Sequence, residues 1–195
     1  MSSQFLDNIK EHQAVIATLA TLAPQVESAI ALLHQTIAKG GKIMLCGNGG
    51  SAADSQHIAA EFVGRFIHER KPLAAMALST DTSALTCIGN DYGFVDIFSR
   101  QVMALGRAGD CLIAISTSGN SQNVIEAVSA AHYLGVATIG LLGRDGGKLA
   151  GLCQCAVTVP SDSTARIQEA HILIGHTLCG DVERRLGLTS STVTL

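Results

Sequence analysis

A rhythm of short apolar runs restricts the fold of this chain more than anything else. The runs fall at Lys42–Cys46, Ala74–Leu78, Cys111–Ile115, Ala137–Leu141 and Cys155–Val159, each followed by polar or glycine-containing residues and most by a helical pattern. Runs of this length bounded by turn residues read as strands. Alternating strands and helices imply a parallel sheet, because each crossover helix returns the chain to the same edge. The apolar character of the runs fits strands covered on both faces. The expected class is α/β, with a five-stranded parallel sheet flanked by helices in a flavodoxin-like, doubly wound three-layer sandwich.

Two amphipathic helices are expected ahead of the first strand. Phe5, Ile9, His12, Ile16 and Leu19 recur at steps of four and three, as do Val26, Ile30, Leu33 and Ile37 after Pro24, a favourable first-turn residue. A last helix should run from about Ala165 to Leu186, with Ile167, His171, Ile174, Leu178 and Val182 as one stripe before Gly187. No repeat or linker interrupts the chain, so its 195 residues are expected to form one domain. Residues 1–40 would be a helical pair for oligomerisation, and 41–187 the α/β core with its C-terminal helix.

Hydrophobic residues make up 47% of the chain and charged ones 15%, enough apolar material for a core and for subunit contacts. Since a five-stranded sheet does not obviously need both opening helices, a homotetramer with sites built across its interfaces is expected. A net charge of −3 without a basic run, with two Tyr and no Trp, disfavours nucleic acid and anionic membranes as partners. The start, MSSQFLDNIKEHQ, has no cationic stretch leading into an apolar run, and no uninterrupted apolar run approaches the ~20 residues of a membrane span, so a cytoplasmic location is expected. The six cysteines lie scattered in apolar surroundings and read as reduced thiols. Cys153 and Cys155 lack the second pair that a thiolate zinc site needs.

In open parallel sheets ligands bind beyond the carboxyl ends of the strands, which draws attention to two loops. The first, Cys46–Gly47–Asn48–Gly49–Gly50–Ser51–Ala52, would let backbone approach a ligand, with Ser51 placed to cap the next helix. Gly47, Gly49 and Ala52 also satisfy the dinucleotide fingerprint, with Asp81 further on, although a tight strand-to-helix turn explains them equally well. The second loop, Ser116–Thr117–Ser118–Gly119–Asn120–Ser121, sets four hydroxyls and a glycine between an apolar strand and a helix. A helix start with its unpaired N–H groups suits a phosphate, and hydroxyls can surround its oxygens without a lysine. Ser121 alone would serve as an N-cap; four hydroxyls indicate a site for a phosphorylated sugar. The Gly-Lys-Ser/Thr of a nucleotide-hydrolysing loop is absent.

His57 and Glu61 stand four residues apart and share a helix face. Together with Gln168 and His176 of the last helix they offer imidazole, carboxylate and amide oxygen, a donor set for a divalent ion such as zinc. Eight residues of regular helix separate Gln168 from His176 by ~12 Å. Either Gln168 occupies an irregular first turn or the two residues serve the sites of different subunits. His171 is expected to be a packed histidine.

On CGNGGSAADSQHIAAEFVGRF (Cys46–Phe66), IGNDYGF (Ile88–Phe94), STSGNS (Ser116–Ser121) and RIQEAHILIGH (Arg166–His176), the chain resembles the sugar isomerase (SIS) superfamily over nearly its whole length, and within it the phosphoheptose isomerases. The resemblance implies conversion of sedoheptulose 7-phosphate to D-glycero-D-manno-heptose 7-phosphate through an enediol, an early step toward bacterial lipopolysaccharide and other surface heptose. It implies Glu61 and His176 as the acid–base pair. Asn48, Gly49, Gly50, Ser51, Ser116, Thr117, Ser118 and Ser121 would hold phosphate and hydroxyls, with Arg65, Asn90, Asp91 and Gln168 near the sugar. His57, Glu61, Gln168 and His176 match the ligands of a zinc ion, one per subunit. Some relatives carry Asp where this chain has Ala165; Thr164 or Asp162 would substitute. The rival expectation is a regulatory SIS-domain protein that binds a replication initiator, against which Glu61 and His176 are both retained.

Overall fold

The computed structural model describes residues 3–189; the ends of the expected 1–195 domain lie outside them. The chain opens with α1 (Gln4–Thr18), a 3-10 turn at Leu19–Leu22 and α2 (Ala23–Ala38). There follow β1 (Ile43–Gly47), α3 (Gly50–Val63), β2 (Ala75–Ala77), α4 (Thr82–Asp91), α5 (Ser99–Leu105) and β3 (Cys111–Ser116). The last elements are α6 (Gln122–Tyr133), β4 (Ala137–Gly143), α7 (Gly147–Leu152), β5 (Cys155–Val159) and α8 (Thr164–Arg185). All five expected strands form, in the order β2-β1-β3-β4-β5 and with every pairing parallel.

Successive side chains of a strand point to opposite faces, and the core divides accordingly. Ile43 and Leu45 of β1 and Cys111, Ile113 and Ile115 of β3 pack on one face with Ile30, Leu33, Ile58, Phe62 and the α8 stripe. Met44, Cys46, Leu112 and Ala114 pack on the other with Phe98, Val102, Val124 and Val128. All five members of the expected α8 stripe are buried, His171 included. The sheet is thus doubly wound, as its apolar runs required.

The opening helices differ from expectation. α2 is part of the cover of the sheet, burying Ala29, Ile30, Leu33 and Thr36. Only α1 is spare: it buries none of its residues, and Phe5 and Leu6 are 68% and 51% exposed. Polar contacts fasten α1 to α8, with His12 Nδ1 2.7 Å from Glu169 Oε2 and Arg166 Nη1 donating to the Asn8 carbonyl at 3.0 Å. Taken as one helical stretch, Gln4–Ala38 is long and apolar enough to cross a membrane by length and composition. That amends the expectation from uninterrupted apolar runs. The apolar residues of α2 are nonetheless engaged in the protein's own core.

Candidate active site

β1 leads outward to β2 on one side, whereas β3 begins the other half of the sheet. The β1 and β3 loops therefore diverge at the switch point, where a doubly wound sheet opens a crevice. Asn48 and Asn123 brace the two loops. Asn48 Nδ2 donates to Asn123 Oδ1 at 2.8 Å, and Asn123 Nδ2 donates back to Asn48 Oδ1 at 2.9 Å. Asn123, in the first turn of α6, was not singled out from sequence because nothing local marks it.

In the β3 loop the hydroxyls face one another. Ser116 Oγ lies 3.0 Å from Ser121 Oγ and 3.5 Å from Ser118 Oγ. Ser121 occupies the N-cap position of α6 but its side chain makes no capping bond. The expected capping by Ser51 also fails, since Gly49 is the N-cap of α3 and Ser51 lies buried inside the helix. Both helices thus start with N–H groups that no side chain caps, beside hydroxyls and at the positive end of a dipole, an arrangement that suits an anion. Thr117 is half-buried in the same loop. Gly119, at φ +64°, fixes the loop's shape: a Cβ there would lie 1.9 Å from the Gly146 carbonyl oxygen. Leu149 N donates to the Gly119 carbonyl at 3.0 Å and Lys148 N to Asn120 Oδ1 at 3.1 Å, so the β4–α7 segment supports the loop from outside.

A second group forms between α3 and α8. His57 Nε2 lies 3.2 Å from Glu61 Oε1 and 3.2 Å from His176 Nε2, and ligand atoms of the three residues all lie within 4.8 Å of one another. The cluster is open to solvent on one side, with the His57 side chain 47% exposed and that of Glu61 23%. Asp54, one turn before His57, has a buried Oδ2 without a hydrogen-bond partner among the described residues. Burial raises its carboxyl above the usual range, opposed by the nearby His57.

His176 thus joins His57 and Glu61 within one chain. Gln168 does not join them. α3 and α8 run side by side in the same direction: a Cβ on Gly50 would strike Gln168 Nε2 at 2.2 Å, and one on Gly175 would strike Ile58 Cδ1 at 2.6 Å. The Gln168 amide therefore sits at the start of α3, and regular helix geometry places His57 roughly 10 Å further along. Neither is its first turn irregular, since α8 is helical from Thr164. Arg65 is exposed and donates to the Ile67 carbonyl at 3.1 Å, while Asn90 Nδ2 donates to Asp91 Oδ1 at 2.7 Å at the exposed end of α4. Among the described residues, no hydrogen bond or ion pair joins Arg65, Asn90 or Asp91 to either group.

The SIS domain family model matches residues 4–143. The phosphoheptose isomerase of Rhodospirillum rubrum is 55% identical over 168 residues, covering 86% of this chain and 89% of that protein. That of Aliarcobacter butzleri is 53% identical over 95% of this chain and 99% of its own length. The chain belongs to the phosphoheptose isomerase family of SIS-domain proteins. The solved phosphoheptose isomerase of Neisseria gonorrhoeae superposes with a TM-score of 0.88 at 50% identity, covering 93% of this chain and 97% of that one. Membership disfavours the dinucleotide-binding and initiator-binding alternatives. The fingerprint-like glycines belong to the β1 loop of an isomerase fold.

Proposed function

We propose that the protein interconverts sedoheptulose 7-phosphate and D-glycero-D-manno-heptose 7-phosphate, an aldose–ketose isomerisation. The observation that carries this is a carboxylate and two imidazoles gathered on α3 and α8 of a phosphoheptose isomerase family member. Moving a carbonyl from C2 to C1 requires removal of a proton from C1 and its return at C2, by way of a 1,2-enediol. Glu61 is the base that takes and returns that carbon-bound proton, while His176 moves protons between the oxygens. The hydroxyls of Ser116, Thr117, Ser118 and Ser121 and the N–H groups at the start of α6 address the phosphate.

A zinc ion fits the cluster, since two imidazole nitrogens and a carboxylate oxygen within bonding reach of one point are a common catalytic donor set. His57, Glu61 and His176 would hold it, with no fourth ligand from Gln168 of the same chain. Bound there, it would polarise the substrate carbonyl and offset developing negative charge. A carboxylate held by a metal would be a weak base, so Glu61 would have to be free of the ion to take the carbon-bound proton.

The active assembly is proposed as a homotetramer whose sites are shared between subunits. The exposed apolar face of α1 supports a partner surface. Arg65, Asn90 and Asp91 would then reach the sugar of a neighbour's site. The test is to co-refold a His176→Ala chain with a Ser118→Ala, Ser121→Ala chain and confirm mixed oligomers by sedimentation. Regained isomerase activity supports sharing; none in verified mixed oligomers contradicts it. A cytoplasmic location is proposed with it, supported by six free cysteines, and the product would feed lipopolysaccharide and related heptose synthesis.

A further inference from the structure

Between α3 and β2 lies a segment whose side chains hold the α3–α8 cluster from behind. Arg70 is 2% exposed, and all three of its guanidinium nitrogens are used. Nε donates to Glu183 Oε1 at 2.7 Å, and Nη2 donates to the Glu61 carbonyl at 2.7 Å. Nη1 donates to the carbonyls of Phe62 at 2.7 Å, Gly64 at 2.9 Å and Lys71 at 3.1 Å. The last turn of α3 leaves carbonyls without helical partners, and a cation beside them favours that end of the dipole. Arg70 thus closes the helix at the very residue whose side chain enters the cluster.

Glu183, itself 1% exposed, lies on α8 beyond His176 and accepts a second bond at the same Oε1, from the Phe66 N–H at 3.1 Å. This fixes the Phe66 backbone against α8. Its ring then stacks on the His176 imidazole, with centroids 5.3 Å apart and planes 24° from parallel. The ring also runs along Gly180, one turn past His176, where a Cβ would stand 3.3 Å from Phe66 Cε1. His57 meets the same imidazole edge-on, with ring centroids 5.0 Å apart and the two Nε2 atoms 3.2 Å apart. The imidazole therefore has an aromatic ring stacked on it and its cluster partner at Nε2.

We propose that Phe66, anchored by the buried Arg70–Glu183 pair, is a positioning residue that sets the ring orientation of His176 and thereby the geometry of the His57–Glu61–His176 centre. Phe66 touches no reacting atom in this account. It acts by denying His176 the rotamers that would swing Nε2 away from His57, as partners behind a ligand commonly do. Its consequences for turnover rest on the isomerase function proposed above, but its consequence for the ring itself does not.

Removing either member of a buried ion pair leaves the other uncompensated and threatens the whole fold, so the test falls on Phe66. Phe66→Leu keeps apolar bulk and loses the stacked plane; Phe66→Tyr restores the plane. In Phe66→Leu of wild-type thermal stability, the His176 imidazole proton resonances should lose their ring-current shift and their cross-peaks to His57. Zinc affinity, measured by chelator competition, should fall about 10- to 100-fold. The kcat should fall about tenfold or more with KM within about twofold, and Phe66→Tyr should recover all three properties. A folded Phe66→Leu protein whose His176–His57 cross-peaks, zinc affinity and kcat equal those of the wild type overturns the inference. If the wild type turns over no heptose phosphate, the isomerase function fails and the imidazole spectrum alone decides whether Phe66 positions His176.

Discussion

The Nε2 atoms of His57 and His176 lie 3.2 Å apart, although 119 positions separate the two residues in the chain. At that distance two imidazoles either share a proton or face a common cation, since two nitrogen lone pairs repel. Glu61 Oε1, 3.2 Å from His57 Nε2, completes a three-atom face on which a metal could sit.

Zinc should accordingly be found by elemental analysis in protein purified without chelators, at about one ion per chain. His57→Ala and His176→Ala should each lose it, whereas Gln168→Ala should keep it in a separated single chain, because the Gln168 amide lies at Gly50. Equal zinc loss in all three variants would show that Gln168 is a ligand after all. Stripped wild-type protein that turned over normally would remove the metal from the reaction.

The pair Ser118→Ala, Ser121→Ala should weaken binding of heptose phosphate and inorganic phosphate alike, by about 1.5–3 kcal/mol for each hydrogen bond lost to the charged group. Capping residues lost to Ala cost ~0.5–2 kcal/mol of stability. Here Ser121 makes no capping bond, and the pair loses only the Asn120 N–H bond to Ser118 Oγ and the Ser116–Ser121 hydroxyl contact, so the melting temperature without phosphate should fall only slightly. Calorimetric titration beside thermal melts separates the outcomes: a large stability loss with unchanged phosphate affinity would return these serines to a purely structural role.

Acid should destabilise the protein through His171. Burial lowers its imidazole to about 4, opposed by its hydrogen bond to the Leu142 carbonyl, and its Nδ1 has no partner among the described residues. The folded state then binds fewer protons than the unfolded state between about pH 4 and 6.5, so stability rises with pH across that window and levels off above it. The span corresponds to about 3 kcal/mol. Urea titrations at pH 4.5 and 7.5 should show a difference that shrinks in His171→Gln. An unchanged difference in that variant would place the acid sensitivity elsewhere.

The sheet could be read from the sequence because each strand is buried on both faces and bounded by turn residues, a local pattern. Even β5, the edge strand, begins and ends at the expected residues, Cys155 and Val159. The two opening helices had the same kind of apolar stripe, yet α2 covers the core while α1 does not. That distinction depends on where the chain turns at Leu19–Leu22, which periodicity does not reveal. In the site, His57 and Glu61 were legible as an i, i+4 pair, and His176 joins them because α8 lies alongside α3. The Gln168 placement follows from the same alignment and could be anticipated only as a distance problem. Phe66 closes the quoted Cys46–Phe66 motif, but its role, like those of Arg70 and of Glu183 on α8, had no local signal, since an aromatic and isolated charges look like solvated surface until α8 packs on the segment after α3. Asn123 was hidden likewise, its partner Asn48 lying across the sheet switch point.

The most direct measurement follows purified protein by NMR in heavy water with C5 to C7 ketose phosphates, sedoheptulose 7-phosphate among them. The expected result is an aldose heptose 7-phosphate formed from the C7 ketose, with deuterium at C2 delivered by Glu61 after exchange with solvent. Glu61→Gln should bind the same substrate but turn it over ~10²–10⁴-fold more slowly. No aldose from any of the ketose phosphates, or near-native turnover by Glu61→Gln, would contradict the account.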